Sequence, residues 1–420
     1  MIKSCRVGKG NTPAAGNLNY RYISMNRRNF VVKTGLATAT LGTSTSLVAN
    51  FAAIGKRTDI INLGVIGTGD RGGGLIPLIN EIEQINVAAC CDIIPFRLED
   101  ALARTKGKAK AYTDYRRLLD DQTIDAVLIA TPFSTHSAIA IDALDAGKHV
   151  YCEKTMAKGY DSIQTLVDKA KGSGKIFQTG HQYHSSRLYR HAVKLIADGK
   201  IGKVISFDCN WNRNDDWRRQ VPRPELERAI NWRMYREYSG GLLAELCSHQ
   251  IDIVNWILEE CPSKVMGSGG IDYWKDGRET YDNVHLIYTY PSGVKANFTC
   301  LTSNSMDGYR TKIMGDKGSI VLGFSNAWFH PEVKNKSELG NVDGVAGATL
   351  KWEEEKGVPI ELEHADPSAQ ALLDFKESIL NNSMPESNVI SGAKAAICVQ
   401  MGLDAMYNEE IVHWNEDLKI

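Results

Sequence analysis

Residues 60–74, Ile-Ile-Asn-Leu-Gly-Val-Ile-Gly-Thr-Gly-Asp-Arg-Gly-Gly-Gly, decide how this chain is read. A short apolar run enters a turn that carries Gly67, Gly69 and Gly72 at the G-x-G-x-x-G spacing. The first glycine permits a tight turn out of a strand, the second lets backbone approach a pyrophosphate, and the third lets the next helix lie close to the sheet. Thr68, Asp70 and Arg71 fill the same turn, at the head of a helix whose unpaired N–H groups would face the phosphates. The fingerprint alone is a weak signal, and it gains force when a second strand ends in an acid about 20 residues further on. The run Ile85–Cys91, closed by Asp92, meets that condition. A carboxylate there accepts from both ribose hydroxyls of an adenosine and repels a 2′-phosphate, which favours NAD over NADP.

Around this stretch the composition is that of a soluble globular protein. The chain has 420 residues, too many for one ordinary core, with 43% hydrophobic and 24% charged residues. A net charge of −1 gives no electrostatic case for nucleic acid. The nine cysteines are scattered, and several, such as Cys90, Cys91 and Cys398, sit in apolar runs where cysteine packs as a small hydrophobe. No disulfide framework and no metal site is expected.

Near the start, Asn26-Arg27-Arg28-Asn29-Phe30 precedes an uncharged Ala-, Thr- and Leu-rich run that reaches Ile54. This resembles a twin-arginine export signal, too weakly apolar for a stable span. It implies a periplasmic protein without a transmembrane span when mature. Export in the folded state further implies that a dinucleotide is captured in the cytoplasm and held tightly.

Three segments are expected: signal and linker over 1–57, a Rossmann NAD-binding domain over 58–181, and an α/β substrate domain over 182–420. In the first domain strands alternate with helices, as in a doubly wound sheet. The fourth strand ends in Thr131-Pro132-Phe133-Ser134-Thr135-His136 and the fifth delivers Glu153 and Lys154. Carboxyl ends of such strands are where ligands bind, so Thr131, Pro132, His136, Glu153 and Lys154 join the expected cofactor site. In the second half, long alternating strands joined by Pro291-Ser292-Gly293 and Gly315-Asp316-Lys317-Gly318 predict a mostly antiparallel sheet. Few helices are left to cover it, so one face stays open and offers a homodimer or homotetramer interface. Residues 330–364 read as a surface excursion, and helices over about 367–381 and 389–407 close the chain.

The stretches Glu153-Lys154-Thr155 and Gly240-Gly241-Leu-Leu-Ala-Glu245-Leu-Cys-Ser-His249 are the most specific in the chain. Together with the glycine turn they resemble the Gfo/Idh/MocA family of sugar dehydrogenases, from about residue 60 to the end. Thr155 stands where the family has proline in its Glu-Lys-Pro motif, and Glu245 where it has aspartate in Asp-x-x-x-His. The resemblance implies that Lys154 and His249 are catalytic with Glu245 assisting, and that the cofactor is a nicotinamide dinucleotide. On the residues alone, Glu245 and His249 are four apart and share a helix face. A carboxylate there can orient the imidazole or hold a substrate hydroxyl. Oxidising a secondary alcohol needs a base for the hydroxyl proton as the hydride leaves, and histidine or a desolvated Lys154 suits that task.

Aromatic and planar polar groups in Trp211, Arg213, Trp217, Trp232 and Arg233 fit a carbohydrate, whose C–H faces stack on rings. His181 and Tyr183, after the sixth strand, are expected beside them. The leading expectation is therefore an NAD-dependent oxidoreductase for a secondary hydroxyl of a sugar or glycoside. A glycosidase that oxidises its substrate transiently is the first alternative, and a non-catalytic dinucleotide-binding regulator the second.

Overall fold

The alternation over 61–179 becomes a six-stranded parallel sheet in the computed structural model, which describes residues 60–332, 357–363 and 365–420. The export stretch and most of the 330–364 excursion lie outside those residues. The strands are β1 (Ile61–Ile66), β2 (Ile85–Cys91), β3 (Lys110–Tyr112), β4 (Ala126–Ile129), β5 (His149–Cys152) and β6 (Phe177–Thr179). Their spatial order is β3-β2-β1-β4-β5-β6. The order reverses between β1 and β4, and a crevice opens at that switch point above the strand carboxyl ends. Gly67, Asp92, Thr131, Glu153 and His181 each follow a different strand and so lie at one edge of the sheet.

The second sheet has nine strands: β7 (Val204–Asn214), β8 (Lys264–Gly270), β9 (Asn283–Thr289), β10 (Lys295–Leu301), β11 (Ser303–Gly315), β12 (Gly318–Leu322), β13 (Ala327–Pro331), β14 (Val358–Pro359) and β15 (Val412–His413). All its pairings are antiparallel except β10 with β7. Both expected turns are present, Pro291–Gly293 between β9 and β10 and Gly315–Gly318 between β11 and β12. β11 begins at Ser303, where its start pairs with the end of β7. One face of this sheet packs on helix Val389–Asn408, where Tyr288 Oη donates to the Cys398 carbonyl at 2.8 Å. Among the described residues, the other face carries exposed apolar side chains. The cross-strand neighbours Met266 and Ile287 are 43% and 41% exposed there.

Helix Pro367–Asn381 lies in sequence between strands β14 and β15 of the second sheet but packs on the first. Ala371, Leu372 and Phe375 join the cluster of Leu63, Val65, Leu75 and Tyr151, and Phe375 meets the Tyr151 ring edge to face at 5.7 Å. The helix carries Asp366 as N-cap, which accepts from the Ser368 and Ala369 N–H groups. Helix Val389–Asn408 is long and apolar enough to cross a membrane, but 72% of its most apolar window is buried inside the protein, which makes it a core helix.

Candidate active site

The glycine turn is built as the spacing requires. Gly67 has φ +83°, and a Cβ on it would stand 2.7 Å from the Ala130 carbonyl. A Cβ on Gly72 would overlap the Gly67 carbonyl oxygen, so only glycine lets helix Asp70–Asn80 start this close to the strand. Asp92 is buried at the end of β2, where Oδ2 accepts from the Thr68 N–H at 2.8 Å and Oδ1 from the Ile94 N–H at 2.8 Å. These bonds hold the carboxylate against the turn. The cleft above it encloses about 630 Å³ and is walled by Gly67, Gly69, Asp92, Thr131 and Pro132. That volume lies in the range of about 300–1,000 Å³ for ligand clefts, and the cradle of backbone where a Cβ cannot stand fits a dinucleotide. Arg97, Tyr115, Arg116 and Arg228 also line it, none of which follows from the fingerprint.

A second cleft of about 360 Å³ shares Asp70, Arg71, Ala130, Thr131, Trp232 and Arg233 with the first. Its remaining wall includes Glu153, Lys154, Trp211, Arg213, Trp217, Glu245 and His249. The expected catalytic group and most of the expected sugar-contacting residues therefore meet in one place. His181 and Tyr183 do not reach that wall. His181 is buried, bonded through Nδ1 to Thr179 Oγ1 at 3.1 Å, and Tyr183 is stacked on Tyr189 at 4.4 Å. Both meet the His249 ring edge to face, at 6.0 and 5.5 Å, so they back the imidazole. Gln182, between them in sequence, lines the cleft instead.

Lys154 Nζ donates to the Glu245 carbonyl at 2.9 Å and stands 3.9 Å from its Oε2. The Lys154–Thr155 peptide is cis, and Thr155 Oγ1 donates to the Ala244 carbonyl at 3.0 Å. Burial lowers the Lys154 pKa below its ordinary 10.5, with Glu245 and Glu153 opposing the shift. His249 is pushed well below 6.5, by burial first and then by the neighbouring Lys154 charge. Its imidazole is therefore neutral at physiological pH. Trp211 lies 5.6 Å from the His249 ring, and His249 Nδ1 is buried without a hydrogen-bond partner among the described residues.

The shared helix face of Glu245 and His249 is modified. Leu243–Cys247 forms a single π turn, and only Ser248–Leu258 is regular α-helix. Such turns inside helices often mark functional sites. The Glu245 carboxylate accepts from Arg233 Nε at 3.2 Å. It is held by Arg233 and Lys154, and the expected orienting contact to His249 is replaced by the aromatic packing around that ring. Arg233 in turn lies 4.3 Å over the Trp232 ring.

Three residues expected to touch the cofactor also brace the clefts. Arg71 Nε donates to Glu153 Oε1 at 2.6 Å and its Nη1 to Ser368 Oγ at 3.1 Å, tying the glycine turn to the end of β5 and to helix Pro367–Asn381. His136 is buried with Nδ1 2.9 Å from the Thr155 carbonyl and Nε2 2.8 Å from the Thr131 carbonyl, so it joins the loops after β4 and β5. Asp70 pairs with Arg219 Nε at 2.9 Å across the mouth. Among the described residues no group of three or more His, Cys, Asp or Glu side chains is placed to hold a metal ion.

A paired-domain oxidoreductase architecture is thus defined: a dinucleotide crevice whose wall continues into a cleft built by a second, mostly antiparallel sheet. Two family models cover most of the described chain. Residues 61–181 match "Oxidoreductase family, NAD-binding Rossmann fold" and 189–321 match the GFO/IDH/MocA C-terminal domain. The chain belongs to the Gfo/Idh/MocA family of oxidoreductases. The 2,7-anhydro-N-acetylneuraminate hydratase of Escherichia coli (strain K12) is 29% identical over 265 residues, 63% of this chain and 68% of that protein. The levoglucosan dehydrogenase of Pseudarthrobacter phenanthrenivorans is 27% identical over 245 residues, 53% of this chain and 61% of that protein. Among solved structures, the aldose-aldose oxidoreductase from Caulobacter crescentus, complexed with glycerol, shares the fold with a TM-score of 0.68 at 20% identity. That likeness covers 84% of this chain and 100% of the other.

Proposed function

We propose that this protein oxidises a secondary hydroxyl of a sugar or glycoside and hands the hydride to bound NAD. The observation that carries this reading is the continuous wall on which Lys154, Glu245 and His249 stand beside the dinucleotide cleft. NAD, when bound, supplies the hydride acceptor. The chain's own residues hold the sugar and manage its proton. Lys154, whose pKa burial lowers, takes the hydroxyl proton, and neutral His249 donates a ring N–H to the same oxygen. Glu245, itself held by Arg233, keeps the lysine in place, while Trp211, Trp217 and Trp232 line the cleft with apolar surface for the sugar's C–H groups. A glycoside deuterated at the carbon to be oxidised tests this directly. Deuterium appearing on the reduced nicotinamide is the expected result, and an oxidised product with no label on the cofactor would refute it.

The relative named a hydratase favours one second reading, in which oxidation is transient and the cofactor ends oxidised. The same residues would then serve a redox-neutral cleavage. We also propose export to the periplasm by the twin-arginine route, supported by Arg27 and Arg28 ahead of an uncharged run, with NAD retained through export. Assembly as a homodimer or homotetramer through the open sheet face is supported by the exposed Met266 and Ile287 among the described residues.

A further inference from the structure

The charges of the catalytic cleft do not balance, and the surplus lies on the substrate side. Four arginines line its wall beside Lys154, namely Arg71, Arg213, Arg219 and Arg233, against three carboxylates, Asp70, Glu153 and Glu245. Each carboxylate is committed. Glu153 holds Arg71 at 2.6 Å, Asp70 holds Arg219 at 2.9 Å, and Glu245 holds Arg233 at 3.2 Å with Lys154 at 3.9 Å. Arg213 makes no ion pair among the described residues, and its Nε is buried without a hydrogen-bond partner.

The position of Arg213 makes this informative. On β7 the inward face runs Phe207, Cys209 and Trp211, all buried, and Arg213 is the next residue of that period-two row. An arginine thus ends an apolar row and stands beside Trp211 on the cleft wall, its guanidinium 5.1 Å from the Trp217 ring. The nearby Asp215 carboxylate accepts from the Trp217 N–H at 2.5 Å. Arg213 lines the catalytic cleft and is absent from the wall of the dinucleotide cleft, so the cofactor's pyrophosphate does not account for it. A half-buried guanidinium whose Nε is left without a partner gains from an anion that completes it, and its planar fork matches a carboxylate.

We infer that the substrate is an acidic sugar whose carboxylate is received by Arg213. This rests on the reading of the cleft as a sugar site. The test titrates the protein, with its bound cofactor, with pairs of methyl glycosides that differ only at the last carbon, glucuronide against glucoside and galacturonide against galactoside. Sugar 6-phosphates are run alongside, and binding is followed by tryptophan fluorescence or calorimetry. At least one uronide should bind about tenfold or more tighter than its neutral partner, with an affinity that falls as salt is raised. Arg213→Gln should remove the preference while leaving cofactor content unchanged, and Arg213→Lys should restore part of it. Equal or tighter binding of the neutral sugars, no detectable binding of any uronide, or tighter binding of the phosphates would each overturn the assignment. NADH formation from neutral glycosides in the same experiment would leave the proposed oxidation standing while removing this inference.

Discussion

Lys154 and His249 are both desolvated, yet burial gives them different roles. It keeps the imidazole uncharged across the physiological range and brings the ammonium closer to losing its proton. The sign of the pH dependence follows. In the proposed reaction the competent form of Lys154 is neutral, so kcat/KM should rise with pH through a value below 10.5, and His249 should add no acid limb near 6.5. The profile of His249→Asn should keep the rising limb at a rate lower by about two to four orders of magnitude. Lys154→Met should lose the limb altogether. A limb near 6.5 that vanishes in the histidine variant would reverse the assignment. Lys154, His249 and the glycine turn were legible because local sequence pattern carries them. The Arg233–Glu245 and Arg71–Glu153–Ser368 contacts were not, since they join residues brought together only by packing of separate elements.

At the scale of elements, the glycine turn makes the sharpest demand on the sequence. Gly72→Ala would push a methyl group into the Gly67 carbonyl oxygen, displacing the helix start from which the phosphates would be bound. The purified variant should carry little or no NAD by mass spectrometry while keeping its far-ultraviolet dichroism. Gly74→Ala is the matched control, because a Cβ there meets nothing within 4 Å. It should retain the cofactor and gain up to about 1 kcal/mol of stability from helix propensity. Full NAD occupancy in Gly72→Ala would separate the turn from cofactor binding. The π turn at Leu243–Cys247 shows where pattern reading stops. Gly240 and Gly241 announce a helix and four-residue spacing implies a shared face, but widening that one turn leaves Glu245 with Arg233 and His249 with its aromatic neighbours.

Across the whole molecule, helix Pro367–Asn381 returns to cover the first sheet before the last strand of the second, β15, is added. Phe375 is fully buried against Tyr151, so Phe375→Ala should cost about 3–5 kcal/mol in urea unfolding. Since Arg71 is tied to Ser368 on the same helix, NAD should also be held less firmly. A loss below about 1 kcal/mol would show that the helix is not part of that core. Its amphipathic pattern predicts a helix but not which sheet receives it. The central claim is that electrons leave the sugar and stay on the cofactor, and one measurement tests it. In a single turnover of the purified protein with a panel of methyl glycosides, neutral and acidic, absorbance of reduced nicotinamide is followed together with the sugar products. NADH should form in step with a keto-sugar whose glycosidic linkage is intact, and Lys154→Ala should abolish both. Released free sugar with the cofactor still oxidised, equally abolished by Lys154→Ala, would contradict the dehydrogenase and establish the redox-neutral reading instead.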